Sequence, residues 1–352
     1  MAAEPRVLVV IASANRRGAE LEGVELAMQL SARGTPATAV ALAPSTHATS
    51  VDAEVIGVSP MARATLRALR HRAKQADVVI AYGSTALPAC SVALLGTGVP
   101  FIYRSIGDPG RWVRGGLHRL RTGILFHRPK RVVALWPAAA DSISRLYRVR
   151  RARIDVIPNA RDATRFTPAT VEERASARRA FGVSEEAQVV AFIGAMSEEK
   201  RPHLAVQAVV ALAGVHLLIA GDGPERASAE HEAKGAPGRI HFLGSVEDVL
   251  PVLHAADVVV STSRTEGMPG SLIEAALCGL PIVATDVGAV SEVVSAGRGS
   301  LVSVDAAPAT FAAAIKAALD APGHNAGGGT QRYTWETVVL QWQNLLRSLK
   351  RG

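Results

Sequence analysis

Cysteine is almost missing from this chain: of 352 residues, only Cys90 and Cys278 are cysteine. Two thiols so far apart provide neither a disulfide framework nor a thiolate cage for a metal, and they suit a reducing compartment. Aromatic residues are scarce too, at 4%, which removes the stacking platform that single-stranded nucleic acid needs, so no nucleic-acid partner is expected. Long apolar runs are lacking. The longest, Leu204 to Ala220, is broken by Gln207, Gly214 and His216 and reads as a helix followed by a strand rather than a membrane span. Met1 to Ser13 carries Glu4 and only a short apolar run, the pattern of a first strand rather than a secretory signal. The spaced-glycine fingerprint of a dinucleotide-binding turn is absent after that strand, where the chain reads Arg16-Arg17-Gly18-Ala19-Glu20. A nicotinamide-dependent dehydrogenase is thereby disfavoured.

What is present suits a large globular chain. With 48% hydrophobic and 20% charged residues, burial can offset the entropy of ordering, and the length accommodates about two domains. Only the glycine-rich stretch after Pro322, through Gly327, Gly328 and Gly329, reads as disordered. Charge is uneven: through residue 170 there are 24 Lys and Arg against 11 Asp and Glu, and beyond it 15 against 20. Between Arg111 and Arg153, twelve basic residues face one acid, Asp141. Such a stretch is a solvated face or a patch for something anionic, such as a lipid headgroup surface.

Short β-branched runs alternate with longer Ala-rich segments, the pattern of βα units that build a parallel sheet. Strands are expected at Arg6–Ala12, Ala37–Leu42, Val78–Tyr82, Phe101–Tyr103, Val132–Leu135 and Ile154–Ile157. A second series follows at Val189–Ile193, His216–Ala220, Ile240–Leu243, Val258–Ser261, Ile282–Ala284 and Leu301–Val302. Pro158 to Glu186 is polar and punctuated by Pro168 and Gly182, so it reads as an interdomain connection, with the boundary set between residues 165 and 166. The final segment repeats Val338, Val339, Trp342, Leu345, Leu346 and Leu349 at helical spacing and must bury that face on one of the domains. Its helix, 335–352, is expected to join the first domain, 1–165, leaving 166–334 as the second. The resulting fold class is α/β, two Rossmann-like parallel-sheet domains facing a cleft, with ligands at the carboxyl ends of the strands.

The most informative stretch is Ser261-Thr-Ser-Arg-Thr-Glu266-Gly-Met-Pro-Gly270-Ser271-Leu272-Ile-Glu274. It follows a strand and opens a helix. Glu266 lies on the loop and Glu274 about one turn inside the helix, so the two carboxylates can face one ligand across the helix mouth. The N–H groups of Gly270, Ser271 and Leu272 are unpaired donors suited to phosphate oxygens. A carboxylate accepting two hydroxyls suits a ribose or hexose. Upstream, Gly194-Ala195-Met196-Ser197-Glu198-Glu199-Lys200 leaves an ammonium that can serve a diphosphate. Gly221-Asp222-Gly223-Pro224 and Asp286-Val287-Gly288 are each only a turn when taken alone. Gly18 would let a phosphate approach the backbone from the first domain.

Taken in order, with Ile157-Pro158-Asn159, Phe242-Leu243-Gly244 and the final helix that begins near Trp335, these segments resemble glycosyltransferase family 4, the glycosyl transferases group 1 type with the GT-B fold. The resemblance is strongest from Ile157 to Val302. It implies a retaining transfer of a hexose from a nucleotide diphosphate sugar to an acceptor on the first domain, without a cofactor. Metal is not implied, since the chain has no Asp-any-Asp motif. By the same resemblance Lys200 neutralises the departing diphosphate and Glu266 lies by the donor sugar. Glu274 binds the ribose, and Gly18, Gly194 and the Gly270–Leu272 mouth hold the donor. Relatives close the crevice on the donor and swing the final helix across to the first domain.

Two positions depart from the family pattern. Many relatives carry an arginine where this chain has Ala195, so Arg201 and Arg264 become candidates for the missing diphosphate contact. Many carry a histidine where this chain reads Arg104-Ser105-Ile106-Gly107-Asp108, which leaves Asp108 as an acceptor-side candidate. His118 and His127 read as surface residues of the basic segment. The acceptor is expected to be lipid-linked or membrane-proximal, and the location cytoplasmic, peripheral on the inner membrane face through Arg111–Arg153. Two other readings carry the same residues: a nucleotide-sugar-binding protein without transfer, and a GT-B-fold nucleotide-sugar epimerase.

Overall fold

A computed structural model describes residues 4–46, 49–107, 109–112, 122–321 and 328–350. Asp108, His118, part of the basic stretch (113–121) and residues 322–327 of the glycine-rich stretch lie outside the described residues. The chain divides into two compact units, Met1–Ala160 with Trp335–Gly352, and Arg161–Thr334.

The first unit is built on β1 (Val7–Ile11), β2 (Ala37–Ala41), β3 (Glu54–Val55), β4 (Val78–Tyr82), β5 (Phe101–Arg104), β6 (Arg131–Ala134) and β7 (Ile154–Val156). They form one parallel sheet in the order β3-β2-β1-β4-β5-β6-β7. Val9 sits between Ala39 and Ile80 in the ladder and is completely buried. A strand covered on both faces needs a continuous apolar run, which is why Val7-Leu-Val-Val-Ile was legible. The helix Gly18–Ala32 packs Val24, Leu26, Ala27 and Leu30 into the same core. So does the final helix, Trp335–Lys350, through Trp335, Val338, Val339, Trp342, Leu345, Leu346 and Leu349. Gln343 Nε2 fixes that helix further, donating to Arg33 O and Thr35 Oγ1 at 3.1 Å each.

The second unit holds β8 (Gln188–Ile193), β9 (Val215–Ala220), β10 (Ile240–Gly244), β11 (Val258–Ser261), β12 (Ile282–Thr285) and β13 (Gly299–Val302). They form a parallel sheet in the order β10-β9-β8-β11-β12-β13. In both sheets the winding direction reverses once, between β1 and β4 and between β8 and β11. Loops leaving those strands diverge to opposite faces and leave room at their carboxyl ends.

Three features differ from the sequence reading. The unit boundary falls at Ala160/Arg161, five residues before the expected position, because the preceding residues are gripped by the first unit. Arg104, only 1% exposed, donates to the carbonyls of Ile157 and Pro158 (3.0 Å for the latter) and to Asn159 Oδ1 at 2.9 Å, while Glu22 Oε1 accepts from Ala160 N at 2.9 Å. Residues 158–186 are not all connection: they contain the helix Val171–Ala180, started by a reciprocal cap in which Thr170 Oγ1 accepts from Glu173 N and Glu173 Oε2 accepts from Thr170 N. Its Arg178 is buried against Asp257 at 2.7 Å. The third feature is β3, an edge strand of two exposed residues with no apolar run to betray it. Among the described residues no helix is long and apolar enough to cross a membrane.

His216 on β9 and His241 on β10 meet side by side, Nδ1 to Nε2 at 3.1 Å. Burial, and then nearby charge (Arg239 for His216, His216 itself for His241), holds both imidazoles below their ordinary value. An unfolded chain therefore takes up protons before the folded pair does, and this contribution to stability is complete above about pH 6.5 and is lost as pH falls. The thermal midpoint should drop between pH 7.5 and 5.5, and His241→Gln should shrink that drop. An equal drop in the variant would show that the acid sensitivity arises elsewhere.

Candidate functional site

In the second unit the loops after β8 and β11 are laced together. Thr262 Oγ1 donates to the carbonyls of Lys200 and Arg201 at 2.8 and 2.9 Å, and Arg264 N donates to Glu199 O at 2.7 Å. Arg201 is turned back under the loop by a left-handed backbone (φ 49°) just before Pro202, and its guanidinium donates to Thr262 O at 2.7 Å and Val304 O at 2.8 Å. At 6% exposure with its donors on carbonyls, Arg201 is a structural clamp, and its candidacy as a diphosphate contact is corrected accordingly. Arg264 remains exposed on the loop.

This lacing brings two of the expected residues together. Lys200 Nζ lies 2.5 Å from Glu266 Oε1, and Ser263 Oγ donates to the same oxygen at 2.7 Å. The Glu266 side chain is 9% exposed and that of Lys200 is 28%. Gly194 follows β8 beside the Lys200 stem, whose Cε would lie 3.9 Å from a Cβ placed there. The loop bearing Glu266 is propped from below: Gly288, with φ 59°, sits so close that a Cβ would overlap the carbonyl of Glu266, and Ala289 N donates to Gly267 O at 2.8 Å. Gly221 presses on the carbonyl of Gly194 in the same manner. The two turns that meant little in the sequence are the supports of the two functional loops.

Glu274 lies one turn inside the helix Gly270–Leu277, whose first-turn N–H groups belong to Gly270, Ser271 and Leu272. No side chain caps this helix. Glu274 is instead paired with Arg161, Nε to Oε1 at 2.6 Å, a partner that sequence reading missed. Arg161 stands just past the Ile157-Pro158-Asn159 motif and had no local signal of its own. Burial, with a smaller contribution from the Glu274 charge, pushes the nearby Cys278 thiol up to about 12, so it stays protonated near neutrality.

In the first unit the reversal between β1 and β4 holds a cavity of about 80 Å³ lined by residues including Ile11, Ala19, Glu20, Tyr82, Ser84 and Thr85. Gly18, the first residue of its helix, faces open space. Burial raises the Glu20 carboxyl above its ordinary value. In the basic stretch Arg131 is spent on Asp155 at 2.7 Å and Arg151 on Asp141 at 3.1 Å, whereas Arg145, Arg148 and Arg150 are exposed. His127 is exposed, with Nε2 3.0 Å from Tyr147 O.

Comparison with known proteins supplies the family. Residues 187–321 match the model described as glycosyl transferases group 1, and residues 2–160 match a glycosyl transferase 4-like domain. The chain is 31% identical over 230 residues to a D-inositol 3-phosphate glycosyltransferase of Corynebacterium urealyticum, an alignment covering 58% of this chain and 53% of that one. It is 35% identical over 178 residues to a 2-deoxystreptamine glucosyltransferase of Streptomyces kanamyceticus, covering 48% and 46%. The chain spans about half the length of the curated relatives it matches. Its fold is that of the Anabaena HepE protein crystallised with UDP-glucose, at a TM-score of 0.84 and 21% identity over 98% of this chain and 100% of that one.

The glycine supports give a direct test. Gly288→Ala combines a left-handed backbone with overlap on a carbonyl, each costing on the order of 1 kcal/mol or more, and should lower the urea midpoint clearly. Gly18→Ala, in open space at a helix start, should leave it unchanged or slightly raised. Equal effects of the two substitutions would refute the supporting role of Gly288.

Proposed function

The chain belongs to the glycosyl transferases group 1 family, glycosyltransferase family 4, and from that premise we propose that it is a retaining hexosyltransferase using a nucleotide diphosphate sugar. The observation that carries the reading is the Lys200–Glu266 pair at the β8/β11 reversal, one loop ahead of the helix that bears Glu274. UDP-glucose, the ligand named for the Anabaena structure, has the parts these groups suit: a ribose diol for Glu274, a diphosphate for Lys200 and the helix mouth, and a hexose for Glu266.

In the reaction the bond between the sugar's anomeric carbon and the diphosphate oxygen breaks, and its electron pair leaves with the diphosphate. The acceptor hydroxyl bonds to that carbon and passes its proton to the departing diphosphate oxygen. The barrier falls where the growing negative charge meets charge already in place: the Lys200 ammonium, the Gly194 turn and the N–H groups of Gly270, Ser271 and Leu272. No cofactor and no metal take part in this reading. In this reading the first unit, taken by itself, offers Gly18 to a phosphate and the cavity lined by Glu20 to the acceptor. The relatives' names, an inositol phosphate and an aminocyclitol acceptor, make a hydroxylated ring the acceptor class to try first. The exposed Arg145, Arg148 and Arg150 support cytoplasmic placement of the enzyme on an anionic membrane face, near a lipid-linked or membrane-proximal acceptor.

A thermal-shift panel of UDP-, GDP- and ADP-sugars should find one donor that raises the melting midpoint. With that donor, Lys200→Ala and Glu274→Ala should each abolish sugar transfer while circular dichroism stays unchanged. Full turnover in either variant would defeat its assigned role. Ala195, in place of a basic residue, favours one second reading, a donor-binding protein without transfer. Binding in the panel with neither transfer nor donor hydrolysis would establish it.

A further inference from the structure

Arg161 belongs to none of the motifs that carry the family resemblance, yet its side chain reaches the carboxylate assigned to the ribose. Its Nε lies 2.6 Å from Glu274 Oε1, with the two side chains 20% and 13% exposed. A charge-assisted bond this shielded from water is stronger and more directional than a surface pair. The backbone delivers the arginine there. Arg161 N donates to Tyr333 O at 2.8 Å, and Arg161 bridges to Thr334 in parallel.

The guanidinium sits in a place that helix stability alone would not choose. Nη2 occupies the space a Cβ of residue 270 would need, so it fits only because that residue is glycine. That position is the amino end of the helix Gly270–Leu277, where the helix dipole repels a cation. Glu274 holds the arginine against that repulsion, and in return the carboxylate is held in one orientation. With Oε1 engaged, a diol meets an acceptor oxygen whose direction is already set, and less side-chain freedom is lost on binding.

We propose that Arg161 is a positioning residue for donor recognition: it pins Glu274 through Oε1 so that the carboxylate meets the vicinal hydroxyls of a ribose already aligned. This rests on the ribose role given to Glu274 above. It makes Arg161 a determinant of selectivity for an intact ribose.

The test titrates the wild type and Arg161→Gln, by calorimetry, with the nucleoside diphosphate selected by the donor panel and with its 2′-deoxyribose counterpart. The wild type should prefer the ribose form. Arg161→Gln should lose about tenfold in affinity for it and little for the deoxy form, in line with one charge-assisted hydrogen bond. In turnover the donor KM should rise while kcat at saturating donor holds, a split that a general loss of structure would not produce. Gly270→Ala, which displaces the guanidinium while keeping the arginine, should reproduce the effect, and Glu274→Gln should cost less affinity in the Arg161→Gln background than in the wild type. A wild type that binds no nucleoside diphosphate, or ignores the 2′-hydroxyl, overturns the functional reading and this inference together. A wild type that discriminates, with Arg161→Gln discriminating equally, overturns the inference alone.

Discussion

The reversal of strand order between β8 and β11 is the constraint on which the candidate site depends. Neighbouring strands whose loops leave in opposite directions give two backbone ends a common opening, and side chains too short to reach across a helix layer can meet there. Lys200 and Glu266, 66 positions apart, are in contact for this reason. Hydrogen bonds from Thr262 and Arg201 tie the two loops together beside that contact. An ion pair with a carboxylate this shielded adds little net stability, because desolvation offsets much of the Coulomb attraction. What it provides is charge held in place before any ligand arrives.

Most of the sheet architecture was legible because parallel strands buried on both faces must be almost purely apolar, as in Val7–Ile11 and Val258–Ser261. The misses have the opposite character. Glu54–Val55 is exposed and two residues long. The helix Val171–Ala180 is charged, its Val171 is 80% exposed, and it docks through Arg178 on Asp257 instead of an apolar stripe. Its capping residues Thr170 and Glu173 sit in a polar, charged stretch of the kind that reads as a connection. The boundary was set five residues late for a related reason. Arg104 and Glu22 hold residues 157–160 with buried charges whose partners are mostly backbone groups, and such partners leave no trace in composition.

Within the site, legibility followed sequence distance. Glu266 and Glu274 are separated by seven residues around a loop and a helix start, so sequence alone proposes them as a pair, whereas the structure pairs Glu266 with Lys200 and Glu274 with Arg161. Arg161 and Glu274 are 113 positions apart and meet only because the chain returns beside Tyr333 and Thr334. Arg201 shows the converse. It is adjacent to Lys200 in sequence, but the left-handed turn before Pro202 sends it to the opposite side of the loop, into carbonyls instead of solvent. Neighbouring positions on a loop are a poor guide to which cation faces a ligand.

Ala195 brings no charge to the loop after β8, which bears on how the charges present are arranged. Each of the two carboxylates is matched with one base, Glu266 with Lys200 and Glu274 with Arg161, so these four side chains sum to no net charge. Under the donor-binding reading proposed above, an incoming diphosphate gains affinity chiefly through exchange of partners and through the helix mouth. The exchange is feasible at Glu266 because Ser263 Oγ donates to the same oxygen at 2.7 Å. If the ammonium turns to phosphate, the carboxylate keeps one hydrogen bond and is not stranded, which is the costly outcome for a buried anion. No side chain caps the helix Gly270–Leu277, so its first N–H groups are left for such a ligand. On that reading the two ion pairs are balanced before a ligand arrives, and the exchange at Lys200 frees its charge for the diphosphate only once that ligand is present.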